Sequence, residues 1–155
     1  ITARKKAEAY LEYLGKHDVL TKLHNRAFYT EELNRLERKS LRPVSVIILD
    51  LNGLKEANDQ LGHDAGDTLL RRFGEVLNGV VSLPNHAARV GGDEFAILMP
   101  GADAKAALLW ADYLDALRKE GNEGPALGEA IEKARIHALS HYKSEFKKTW
   151  QIPSP

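Results

Sequence analysis

The sequence predicts an α/β protein, an α+β sandwich in which helices flank a mostly antiparallel central sheet. Three observations carry this expectation. The β-branched run at 44–50 has the near-continuous apolar character of a strand buried on both faces. Short apolar runs at 87–90 and 95–99 flank Gly91-Gly92-Asp93-Glu94 and read as a β-hairpin. Around them lie stretches with apolar residues at the 3, 4 and 7 spacings of amphipathic helices.

In chain order, residues 1–16 are rich in Ala, Lys, Glu and Leu, with Ala7, Tyr10, Leu11 and Leu14 at helical spacing. The first residue is Ile, which suggests a piece of a longer protein. A polar turn at 18–26 leads into a helix over about 26–39 whose inner face holds Phe28, Leu33 and Leu36, and Pro43 closes the unit. The strand at 44–50 ends on Asp50. A helix over 65–81 turns Leu69, Leu70, Phe73, Val76, Leu77 and Val80 toward the sheet. The hairpin follows, then a helix over 102–119 with Ala107, Trp110, Ala111, Leu114 and Leu117 inward. After Gly121-Asn122-Glu123-Gly124-Pro125, residues 126–148 are helical by pattern, and 149–155 are not. His137 and His141 then stand four apart on a solvated helix face.

The 155 residues suffice for one domain with a hydrophobic core. Lys plus Arg and Asp plus Glu both number 22, so no global basic field attracts nucleic acid. With no cysteine, a disulfide framework, a thiolate zinc site and a thiol nucleophile are excluded. The longest apolar run, 44–49 broken by Ser45, is far short of the roughly 20 residues that span a bilayer, so no membrane contact is expected within this chain.

The chemistry concentrates in two acidic clusters: Asp50 at a strand end and Asp93-Glu94 in the hairpin turn. Together they can hold a hard cation, since magnesium takes oxygen ligands from one or two carboxylates and shares substrate phosphates. Gly53, Gly91 and Gly92 leave room for phosphate against backbone N–H groups, and Lys55 adds a positive charge. Alone, a strand-end Asp is a solvated cap and a Gly-Gly-Asp turn is only a turn; the combination is what points to a site.

The stretch Arg89-Val90-Gly91-Gly92-Asp93-Glu94-Phe95 contains the signature of the GGDEF family. Residues 50–67, beginning Asp50-Leu51-Asn52-Gly53-Leu54-Lys55 and ending Ala65-Gly66-Asp67, resemble that family's other central motif, and 18–26 resembles its opening motif. These motifs span about residues 16–120 in the family's order. The resemblance implies a nucleotidyl-cyclase or polymerase-palm-like fold with a stalk helix at 1–16 and a catalytic domain at 17–155. It implies a diguanylate cyclase, a nucleotidyltransferase that condenses two GTP into the bacterial second messenger cyclic di-GMP plus two pyrophosphates. The cofactor would be Mg2+, with Mn2+ possible, bound by Asp50, the Leu51 carbonyl and Asp93, with Glu94 acting on the reacting groups. Asn58 and Asp67 would read guanine, and Asn52, Gly53, Leu54 and Lys55 would cradle phosphates. The resemblance further implies a symmetric homodimer, an upstream sensory domain and a cytoplasmic location.

Three departures from the family pattern matter. Ser82 and Asn85 replace the Arg and Asp of the product-inhibition motif, so no inhibitory site is expected there. Asn52 and Leu54 replace a common Asp and Phe. The strand that normally follows the 102–119 helix is missing between about 121 and 127, which would leave an exposed sheet edge. That gap supports an alternative, a degenerate domain that binds GTP or dimerises and relays a signal without catalysis. Lys143 is the candidate for the family's basic residue on the last helix.

Overall fold

The computed structural model of the chain describes residues 2–40, 43–51, 59, 62–120, 131–139 and 145–151. Its elements are α1 (Ala3–Lys16), α2 (Arg26–Arg38), β1 (Val44–Leu51), α3 (His63–Val80), β2 (His86–Arg89), β3 (Glu94–Pro100), α4 (Ala104–Glu120), β4 (Ile131–Leu139) and β5 (Glu145–Gln151). The strands form one sheet in the order β2-β3-β1-β4-β5, and every neighbouring pair is antiparallel.

β1 is central because its sequence can be buried on both faces. Strand alternation sends Ile47 and Leu49 to one side, where they meet Phe95 and Ile97 of β3, Phe73 and Leu77 of α3, and Leu114 of α4. Val44 and Val46 go to the other side, with Ala96 and Leu98 of β3 and Leu36 of α2. Buried Ser45 interrupts the apolar run, but its hydroxyl donates to the Ala102 carbonyl at 2.7 Å, so this buried hydroxyl is satisfied. The layers are therefore α3 and α4, then the sheet, then α2.

The expected helix over 126–148 is not formed. Ile131–Leu139 is strand β4, paired along β1 from Val44↔Leu139 to Leu51↔Ile131. β5 then pairs with β4, from Lys133↔Gln151 to Leu139↔Glu145. The stretch carries two periods at once. Ala130, Ile131, Ala134 and Ala138 suit a helix, while Ala134, Ile136 and Ala138 alternating with Arg135 and His137 suit a strand. An unpaired edge on the most apolar strand leaves a row of peptide groups without partners, and pairing with β4 satisfies them. β1 is thus paired along both of its edges. His137 lies on β4 and not on a helix with His141. His141, Lys143 and the 121–127 gap lie outside the described residues.

α1 buries no residue, and Tyr10 and Leu11 on it are exposed. Its attachment runs through Asn25, the N-cap of α2. The Asn25 side-chain oxygen accepts from Phe28 N–H at 2.9 Å, while its amide donates to the carbonyls of Leu14 at 3.3 Å and His17 at 3.5 Å. The turn between these helices packs directly on α3. A Cβ added at buried Gly74 would lie 2.8 Å from Thr21 Cβ and 2.9 Å from the Thr21 carbonyl oxygen.

Gly74→Ala is therefore expected to destabilise the chain by about 1–3 kcal/mol through overpacking. Gly79→Ala, on the same helix with nothing within 4 Å, should instead gain up to about 1 kcal/mol from helix propensity. Urea denaturation of both variants measures the contrast, and equal stabilities would show that the turn does not press on α3.

Candidate active site

The carboxylates come together through strand register. β1 and β3 are paired from Val44↔Pro100 to Asp50↔Glu94, so the last pair sets Asp50 directly across from Glu94, with Asp93 one residue into the turn. Facing residues of an antiparallel pair have Cα atoms roughly 5 Å apart. Three carboxylate-bearing residues thus occupy the same end of the two central strands. Asp93 is exposed and Glu94 half-buried.

The turn before Asp93 is held from inside and outside. Val90 N–H and Gly91 N–H both donate to the Glu94 carbonyl, at 2.9 and 3.1 Å, which closes the hairpin. A Cβ at Gly91 would lie 3.3 Å from Glu94 Cβ, so a larger residue would press on that side chain. From outside, the Arg89 guanidinium donates to the Gly92 carbonyl through Nε at 3.2 Å and Nη2 at 2.9 Å. Its Nη1 reaches both oxygens of Asp18, at 3.3 and 3.4 Å. Asp18 is itself fixed by Thr21, whose backbone N–H and hydroxyl donate to Oδ2 at 2.9 and 2.7 Å. A single guanidinium thereby joins the 18–21 turn to the glycine loop. Its planar fork suits two acceptors at once, and the Arg89 and Asp18 side chains are only 19% and 21% exposed.

Tyr29 of α2 belongs to the same region. Burial pushes its phenol above the ordinary value, and the Glu94 carboxylate pushes it the same way, so the hydroxyl stays protonated near Glu94. The sequence reading assigned no role to Arg89, Asp18 or Tyr29. Arg89 lay inside the signature string, and the Asp18-x-x-Thr21 spacing is that of a self-capped turn, so both were detectable. Nothing local marks Tyr29, which is brought to the site by α2 packing on the sheet.

The remaining candidates divide in two. Asp67 is half-buried in the second turn of α3. Asp50 and Leu51 are the last two residues of β1. Asn52, Gly53, Leu54, Lys55 and Asn58 lie outside the described residues. Ser82 and Asn85 form a turn between α3 and β2, with Asn85 N–H donating to the Ser82 carbonyl at 3.0 Å, and they line a cavity of about 280 Å³ with His17, His24 and His86. Among the described residues, no group of three or more His, Asp or Glu side chains forms a ready-made metal cage, and no helix is long and apolar enough to cross a membrane. Carboxylates on adjacent strands nonetheless fit a hard cation that keeps water and phosphate oxygens as its other ligands.

An antiparallel sheet flanked by helices, with acidic residues at one end of its central strands, defines a palm-like cyclase domain. Residues 15–142 match the family described as "Diguanylate cyclase, GGDEF domain", and the chain belongs to that family. It is 38% identical over 95 residues to diguanylate cyclase DgcS of Shewanella oneidensis, a match covering 59% of this chain and 32% of that protein. An uncharacterized protein of Mycobacterium tuberculosis is 42% identical over 107 residues, 68% of this chain and 17% of its own length. The chain thus spans less than a third of the length of these curated relatives. Among solved structures, the coiled coil and GGDEF domain of DgcB from Caulobacter crescentus, in complex with c-di-GMP, superimposes with a TM-score of 0.69 at 25% identity, covering 87% of this chain and 74% of that one. The family is that of diguanylate cyclases, which use divalent metals.

Replacing Arg89 with Ala is expected to lower stability by about 1–3 kcal/mol, the range for hydrogen bonds to a charged group. It should also speed amide exchange at Val90 and Gly91 while leaving the β3 interior unchanged. Urea denaturation and hydrogen exchange by NMR check the two effects; a stable variant with an equally protected turn would remove Arg89 from this role.

Proposed function

We propose that this chain is a catalytically competent diguanylate cyclase domain that joins two GTP molecules into cyclic di-GMP and releases two pyrophosphates. The observation that carries the reading is the β1–β3 register, which pairs Asp50 with Glu94 beside the Gly91-Gly92-Asp93 turn. Family membership and the similarity to a named diguanylate cyclase support it.

In this reading Asp50, the Leu51 carbonyl and Asp93 hold Mg2+ or Mn2+, which neutralises phosphate charge when bound. Gly91 and Gly92 let the nucleotide approach the backbone, and Asn52, Gly53, Leu54 and Lys55 bind its phosphates. Asn58 and Asp67 hydrogen-bond the guanine edge, the Asp67 carboxylate accepting. A carboxylate paired with the N1–H and the exocyclic amine disfavours adenine, which would leave that carboxylate unmatched. Glu94 takes the proton from the attacking 3′-hydroxyl. The 3′-oxygen then forms a bond to the α-phosphorus of the second GTP as the bond to pyrophosphate breaks.

One domain offers one such half-site, and a two-fold symmetric product requires two domains facing each other. The exposed Tyr10 and Leu11 of α1 are consistent with a helix that pairs with a second copy. The domain division at residue 16, an upstream sensory region, a cytoplasmic location and the lack of product inhibition through Ser82 and Asn85 belong to the same proposal. The relay without catalysis draws its support from the strand missing between about 121 and 127, a stretch that lies outside the described residues.

With GTP and magnesium, the purified chain should form cyclic di-GMP at a specific activity that rises with protein concentration. Asp93→Ala should lower the rate about a hundredfold or more, the scale of losing a principal charge-stabilising group. GTP binding with no product in the parent chain would favour the relay.

A further inference from the structure

We propose that His17, His24 and His86 form a pH-responsive latch that seats α1 on the domain while His24 is neutral and releases it when His24 takes up a proton. Because α1 buries none of its own residues, its seating depends on the few groups at its C-terminal end. One set is the Asn25 hydrogen bonds; the other is a column of rings. Tyr13 stacks on His17 with centroids 4.2 Å apart, His17 on His24 at 4.8 Å, and His24 on Phe28 at 3.8 Å. His86 of β2 meets the edges of both His24 and Phe28 at 5.2 Å. The column therefore runs from α1, through the turn, to α2 and the sheet edge.

The surroundings favour an uncharged His24 ring. The His24 pKa is lowered from 6.5 to about 4, first by burial and then by its neighbours His17 and His86. The Lys16 carbonyl and Glu32 of α2 act oppositely. Glu32 is already engaged by Arg35, and Asp18 of the turn by Arg89. Lys22 lines the same cavity as the three imidazoles and adds positive charge. His24 Nδ1 is buried with no hydrogen-bond partner among the described residues. Solvent reaches the rings through the cavity of about 280 Å³ that they line.

The sign follows from linkage. The folded state binds this proton less tightly than the unfolded chain, so the stabilisation is complete above 6.5 and is lost as pH falls toward 4. A proton on His24 places a charge inside the stacked column, and the column is what separates.

Hydrogen exchange of the 155-residue chain tests this, with amides of His17, Asp18 and Asn25 compared with those of β3 at about pH 7.5 and about pH 5, each corrected for its intrinsic rate. The expected result is a relative loss of protection at the α1 junction of about tenfold on acidification. His24→Phe keeps a stacking ring without a titratable nitrogen and should hold the junction protected at both pH values. If His24→Phe does not fold, as judged by circular dichroism, His86→Phe should bring the His24 pKa back toward 6.5 by removing a neighbour that lowers it, and so shrink the loss of protection at about pH 5. Junction amides that track β3 in the parent chain, or a variant with the parent's pH profile, would overturn the latch. An effect on cyclase output rests on the function proposed above, whereas the exchange measurement does not, so the two ideas fail separately.

Discussion

Burial of β1 on both faces is the constraint from which the rest of the architecture follows. Ile47 and Leu49 need α3 and α4 on one side; Val44 and Val46 need α2 on the other. Its backbone needs a partner along each edge, and β3 and β4 supply them. The register with β3 keeps Phe95, Ile97 and Met99 on the same face as Ile47 and Leu49, and a slip of one residue would reverse every side chain. That same register carries Asp50 and Glu94 to facing positions at the strand ends. Core packing and the assembly of the acidic cluster are therefore one event.

The turn at 18–25 is the second organising element, and its residues are used several times over. Thr21 fixes Asp18, Asp18 receives Arg89, and Arg89 grips the Gly92 carbonyl next to the acidic pair. Thr21 also presses on Gly74 of α3, while His24 and Asn25 receive the end of α1. A movement of α1 is thus connected to the glycine loop by a short series of direct contacts. This gives a physical route by which an event at the helix could reach the site, with charge at the imidazole column as one way to perturb it.

Much of this was legible in the sequence because it rests on short-range pattern. The β-branched run at 44–50, the Gly-Gly turn between two apolar runs, and the helical spacings in α2, α3 and α4 each specify a local structure, and each element formed within a residue or two of its expected bounds. The signature string and the strand-end Asp likewise named the acidic residues of the candidate site before any geometry was known. Residues 131–139 went the other way, since their apolar positions satisfy a helical and a strand period together. The choice between them was made by the unpaired edge of β1, a partner distant in sequence.

The amino-acid sequence by itself determined the elements, the chain's membership of a signature family and the identity of the acidic residues, because periodicity and turn chemistry are properties of neighbouring residues. Tertiary structure alone decided that β4 and β5 complete the sheet, that Arg89 bridges Asp18 to the glycine loop, that Tyr29 stands near Glu94, and that three histidines from separate segments share one cavity. Each of these joins residues far apart in the chain, and their proximity is set by how whole elements pack.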